Sequence, residues 1–137
     1  MPIRCADRGV KWAALIEPPI LNDEYLVPLL NCLVEINLLW FQMGGRAPAL
    51  YRAGVRYVEE VPGDEHWRSI PHVLRLGYAD CKSLAAWRVA ELHVGLGEDA
   101  RCRFFSKETP TGRLWHIFVV RENGYEEDPS RVLGMGR

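Results

Sequence analysis

The sequence predicts an α+β domain, on three observations. Up to about residue 93 the apolar residues recur at helical spacing, and from Ala100 onward the period changes to two. A length of 137 residues, 48% hydrophobic and 26% charged, suits one domain with its own core. Helices first and antiparallel strands afterwards define the class, with N-terminal helices packed on a small antiparallel sheet.

The elements follow in order. Between Leu26 and Phe41 apolar residues fall at 26, 29, 30, 33, 36 and 40, with Asn31, Glu35 and Gln42 as a narrow polar stripe. A helix buried over most of its girth is expected, capped by Asn22 or Asp23, with Pro28 tolerable only near its first turn and Gly44-Gly45 ending it. It approaches a membrane span in length, but Glu35 and its polar companions favour a core helix. Ala47 to Tyr57 reads equally as a short helix opened by Pro48 or, over Val55 to Val58, as a strand; Pro62-Gly63-Asp64 is a turn. His66 to Leu76 is a short helix interrupted at Pro71 and closed by Gly77. Asp80 is placed to cap a helix from Cys81 to about His93, carried by Leu84, Ala85, Val89 and Leu92 and ended by Gly95 and Gly97. Strands follow at Arg101 to Phe105, at Leu114 to Arg121 after a Thr109-Pro110-Thr111-Gly112 turn, and at Tyr125 to Asp128 after Asn123-Gly124.

Seventeen basic residues against eighteen acidic ones leave a net charge of −1, which argues against a nucleic-acid or anionic-membrane partner. The N-terminal run is interrupted by Lys11 and ends at Glu17-Pro18-Pro19 without a small-residue cleavage site, so the expected location is the cytosol. Cys5, Cys32, Cys81 and Cys102 lie far apart and form no CxxC, which removes the usual signature of structural zinc. Cys32 and Cys102 read as small buried hydrophobes.

Cys81 differs because it opens a helix, where free backbone N–H groups and the helix dipole favour the nucleophilic thiolate. Within Leu-Trp-His-Ile-Phe-Val-Val, His116 occupies a strand position that a plain core strand would give to another apolar residue. Whether Asp128 reaches His116 depends on the intervening turn. A two-residue Asn123-Gly124 loop pairs Val119 with Asp128 and turns the carboxylate away, whereas a three-residue Glu122-Asn123-Gly124 loop, with Gly124 left-handed, pairs Phe118 with Asp128 and puts the carboxylate diagonal to His116. Glu126 would share that face as reserve, and Glu127 would need the other register.

Together these residues resemble the transglutaminase-like cysteine enzymes, whose papain-like core carries Cys, His and Asp in that order. The likeness runs through Trp67-Arg68-Ser69-Ile70-Pro71, Gly77-Tyr78-Ala79-Asp80-Cys81-Lys82-Ser83-Leu84-Ala85, Gly97-Glu98-Asp99-Ala100-Arg101, Trp115-His116-Ile117-Phe118-Val119 and Glu127-Asp128-Pro129-Ser130. It covers about residues 55 to 133, the expected catalytic core of a single domain spanning 1–137, with 1–54 as its helical N-terminal part. The resemblance implies Cys81 as nucleophile, His116 as base and later acid, and Asp128 as the residue that orients the imidazole. Two departures stand out: Gly77 is displaced from the Asp-Cys pair by Tyr78-Ala79, and the chain stops nine residues past Asp128. A minimal core of this kind is similar to stand-alone bacterial or phage proteins, and a phage origin would allow a place in the virion.

The parts imply acyl transfer through a thioester, resolved by water in a peptidase or amidase and by an amine in a crosslinking acyltransferase. The expected partner is a protein or peptide substrate, with no cofactor and no metal. The Cys81 backbone N–H is an oxyanion donor, with Trp40 or Gln42 as side-chain helpers. Two competing readings are a non-enzymatic assembly or binding module on the same scaffold, and a metal site built from Cys81, His116 and Asp128. His66, His72 and His93 read as surface or packing residues, and Trp87 and Trp115 as core or cleft wall.

Overall fold

A computed structural model describes residues 23–60 and 66–136. The chain runs through α1 (Asp23–Gln42), a 3₁₀ turn (Leu50–Arg52), β1 (Arg56–Tyr57), α2 (Ile70–Leu76), β2 (Tyr78–Ala79), α3 (Cys81–Leu96), β3 (Arg101–Thr109), β4 (Gly112–Val120), β5 (Glu126–Glu127) and α4 (Pro129–Val132). It is mixed helix and sheet, as the change of period predicts. Strands β3, β4 and β5 form an antiparallel sheet in that order, and β1 and β2 form a separate parallel pair.

α3 is the central element because it serves two apolar clusters. Its Ala85, Ala86, Val89 and Leu92 join Leu26, Leu30, Leu33 and Val34 of α1 against Ile117 and Val119 of β4. Its Leu84 and Trp87 face the other way, into Leu50, Val55, Ile70, Val73 and Ala79. Buried apolar residues therefore lie on two sides of the helix for a structural reason, and Trp87 is wholly buried, as core. Asp80 caps its first turn in extended conformation, its carboxylate accepting from the Ser83 N–H at 3.5 Å, and Gly97 closes it at φ +61°.

Several sequence expectations are corrected. α1 is not buried over most of its girth: Leu26, Leu30, Leu33, Val34 and Asn37 are buried, while Tyr25, Val27, Cys32 and Leu39 are exposed. Its apolar residues exceed the width of the one face that α3 and the sheet can cover, and Cys32 falls on the uncovered side. By length and composition α1 could cross a membrane, and 28% of its most apolar window is buried inside the structure. Pro28 sits beyond the first turn, inside the helix, and does not end it. Asp23 lies within the first turn, not ahead of it, and its carboxylate binds the Trp115 indole N–H at 2.6 Å, Ser106 and Arg113, tying the helix start to the β3–β4 hairpin. Asn22, Cys5 and the Pro62-Gly63-Asp64 turn lie outside the described residues.

The 47–57 stretch resolves into both alternatives in miniature, a single 3₁₀ turn and then the two residues of β1. α2 begins only at Ile70, because Pro71 occupies the first turn, where it lacks no hydrogen bond, instead of interrupting a longer helix. α3 continues past Gly95 to Leu96, and β3 extends beyond Phe105 to Thr109. α4 is a further short helix, begun at Pro129 and capped by Asp128.

Candidate active site

The decisive local feature of the site is the turn between β4 and β5. Val119 pairs with Glu127 and Val120 with Glu126. The Arg121 N–H donates to the Tyr125 carbonyl at 2.8 Å, the Gly124 N–H donates to the Arg121 carbonyl at 2.8 Å, and Gly124 stands at φ +90°. This is the three-residue loop with a left-handed glycine, and its register carries Asp128 opposite Phe118. His116, two residues from Phe118 along β4, shares its face. The result is a bond of 2.7 Å between His116 Nε2 and Asp128 Oδ2.

Both partners are mostly enclosed, with side chains 14% and 20% exposed. A carboxylate can only accept, so Nε2 carries the proton and Nδ1 is left as the basic nitrogen. Asp128 is further fixed as the cap of α4, its Oδ1 accepting from the Ser130 N–H at 3.2 Å, while Arg131 Nε lies 3.4 Å from Oδ2. One residue thus follows a strand, starts a helix and holds the imidazole.

Cys81 occupies the first position of α3 and is half-buried against the sheet-side cluster. The residues around it are tightly committed. Lys82, 2% exposed, turns inward to bind Asp80, lies 3.9 Å from Glu60 and stands 5.6 Å from the centre of the Trp67 ring. Ser83 is fully buried, and its hydroxyl accepts from the Arg68 N–H at 3.0 Å. A buried ammonium must be paired, so this arrangement fixes the first turn of α3 and the thiol on it.

Tyr57 connects the two halves. It pairs with Ala79 just before the Asp80-Cys81 corner, and its N–H donates to the Leu133 carbonyl at 2.9 Å, beyond Asp128 on α4. Burial pushes its phenol up to about 12, and negative charge on Cys81, Glu59, Asp80 and Asp128 adds to the effect. The phenol therefore stays protonated near neutral pH. Sequence reasoning missed Tyr57 because nothing local announces a pairing across more than twenty positions.

Neighbouring carboxylates divide by strand alternation. Glu126 lines a cleft with His116 and Asp128, on the shared face that the register predicts. Glu127 points to the other side, where Tyr51, Arg88 and Arg121 all bind it, Arg88 Nε at 2.5 Å and Arg121 at 3.0 Å. Burial alone would raise the Glu127 carboxyl, but hydrogen bonds from Arg88, Tyr51 and Arg121 hold it below the usual carboxylate value. Arg88 also reaches Glu91 at 2.8 Å, and Arg121 binds Glu98. The cluster joins α3, β5 and the 3₁₀ turn and is architectural.

The remaining expectations sort plainly. Trp40 packs against Phe41 with ring centres 5.3 Å apart and covers Gly45, and Gln42 is exposed at the end of α1. Trp115 packs partly buried on the sheet-side cluster. His93 binds the Ala100 carbonyl at 2.9 Å, and His66 meets Glu60. Burial, with Arg68 and Arg75 nearby, lowers the affinity of His72 for a proton. Burial pushes the Cys102 thiol up to about 12, as expected of a packing residue. Among the described residues no three His, Cys, Asp or Glu side chains stand together as a metal site. Comparison of the chain with protein-family profiles, with curated proteins and with solved structures finds no match.

Proposed function

We propose that the chain is a thiol-dependent acyl-transfer enzyme, a cysteine peptidase, amidase or transglutaminase-like acyltransferase built on a papain-like core. The observation that carries this reading is the 2.7 Å His116–Asp128 bond, produced by a specific bulged turn and leaving Nδ1 as base. In the proposed reaction Nδ1 takes the Cys81 proton and the thiolate attacks an amide or ester carbonyl. The imidazolium then protonates the leaving group, and a Cys81 thioester remains. Water or an amine, deprotonated by the same nitrogen, releases the acyl group. The Cys81 backbone N–H, in the first turn of α3, is the natural donor to the developing oxyanion. Substrate is a protein or peptide, and the cytosol, or a virion for a phage-encoded chain, is the setting we propose.

The test is intact-mass detection of an acyl adduct on Cys81 after mixing with small thioesters and peptide esters, with Cys81→Ser as control. An adduct confined to Cys81 and lost in His116→Ala supports the enzyme. Absence of any adduct from the folded protein across the panel favours the binding module instead.

A further inference from the structure

We propose that the open face of the β3–β4–β5 sheet beside His116 is a recognition subsite for a peptide that carries a bulky apolar residue next to a lysine or arginine. Phe105 and Phe118 receive the apolar side chain, and Glu126 receives the cation. That such a peptide is a substrate rests on the proposed function; its binding here does not.

Strand alternation sends Ile117 and Val119 inward to α1 and α3, so Arg103, Phe105 and Lys107 of β3 and Leu114, His116 and Phe118 of β4 share the opposite face. The described helices α1 and α3 pack on the inner side. On the open face Phe105 is 55% exposed, and its ring centre lies 5.4 Å from that of His116 and 6.3 Å from that of Phe118. Phe105, Phe118, His116, Glu126, Asp128 and Arg131 line a cleft of about 260 Å³, room for one large side chain.

The charges select the neighbour. Asp128 is bound by His116 and Arg131, and Glu127 by Arg88 and Arg121. The Glu126 carboxylate lines the same cleft and has no hydrogen bond or ion pair among the described residues. On the far side Arg103 and Lys107 repel a cation, which leaves the β5 side for it. A bulky apolar residue flanked by a basic one matches both halves.

Binding is measured on the Cys81→Ala protein, by fluorescence anisotropy of short labelled peptides containing Phe-Lys, Phe-Glu or Ala-Lys. Phe-Lys is expected to exceed Ala-Lys by roughly tenfold or more, the effect of burying an aromatic side chain. It should exceed Phe-Glu by about threefold to fivefold, the size of a solvent-facing charge pair. Glu126→Lys should reverse the Phe-Lys over Phe-Glu order, and Phe105→Ser should bring Phe-Lys down towards Ala-Lys. Equal binding of the three peptides, or an order that Glu126→Lys leaves unchanged in a folded protein, overturns the subsite. Acylation of wild-type Cys81 by acetyl thioester, which has no side chain to recognise, is read separately. An acetyl adduct without peptide preference removes only the subsite, and peptide preference without any adduct removes only the enzyme.

Discussion

Asp128 and Glu127 are adjacent carboxylates that point to opposite sides of the chain, and exchanging each for its amide should separate chemistry from stability. Glu127→Gln keeps the size of the side chain and one acceptor for Tyr51, but removes the charge that Arg88 and Arg121 share. Removing one partner of a fully buried ion pair costs about 3–5 kcal/mol. Here Arg88 retains Glu91 and Arg121 retains Glu98, so neither cation is stranded. The expected loss is therefore lower, about 2 kcal/mol, the contribution of a hydrogen bond to a charged group. For a domain of this size that lowers Tm by roughly 6–10 °C. Acylation of Cys81 should change little once the protein is folded.

Asp128→Asn should do the reverse. Asparagine caps a helix as well as aspartate does, so the Ser130 N–H bond that starts α4 survives and Tm stays within a few degrees. The amide, however, presents either an oxygen or an NH₂ to His116 and no longer stabilises an imidazolium, and turnover should drop by about two to four orders of magnitude, as in other triads. The paired assay is thermal unfolding followed by circular dichroism, and thioester turnover on the same samples. If both variants lose stability equally, or Asp128→Asn turns over as wild type does, the division of labour between the two carboxylates is wrong.

Other outcomes are equally specific. Glu127 titrates below its ordinary value of 4.5 in the folded chain, so its contribution to stability is present above that pH and is lost as pH falls through the lowered folded value; urea midpoints of wild type and Glu127→Gln should therefore converge on acidification, and a gap that persists at the acid end would exclude the assignment. Gly124→Val should destabilise by about 1–2 kcal/mol through its positive φ alone, because a Cβ there meets nothing within 4 Å; Gly124→Asn should recover most of that loss in denaturant titrations, and equal losses would point to a clash instead. In iodoacetamide mapping near pH 7, Cys102 should label slowest because burial holds its thiol protonated, and Cys81 should outpace the more exposed Cys32; faster labelling of Cys32 would place accessibility above activation.

The division between what sequence patterns reveal and what they conceal follows the range of each interaction. Asp80 capping a helix at Cys81, the left-handed Gly124 and the Phe118–Asp128 register are local, and the residues that produce them lie within a few positions of one another. α1 misleads because apolar content reveals how much surface could be buried, not how much partner there is to bury it. Asn37 was invisible for a related reason: it is wholly buried inside α1, and its side-chain oxygen accepts from the Ile70 N–H at 2.9 Å, serving the start of α2, thirty-three positions away. Lys82 reads as an ordinary surface lysine until Asp80, Glu60 and the Trp67 ring are placed around it.

The same logic explains why the site stands where short elements meet. β1, β2, β5 and α4 contain two, two, two and four residues, and none could hold its conformation in isolation. Each is held by a neighbour. β1 lies between Ala79 and Leu133, and β5 between β4 and the Arg88–Glu127 cluster. α4 is started by the carboxylate that binds His116. Loosening any of these pieces moves Asp128 or Tyr57 relative to the start of α3, whereas the two apolar clusters around α3 would remain packed. Catalysis should therefore be more sensitive than global stability to changes at Tyr57 or Leu133. In Tyr57→Phe the packing ring is kept and only the hydroxyl is removed, so a fall in acylation rate at unchanged Tm is the expected result. An unchanged rate would assign Tyr57 to packing alone.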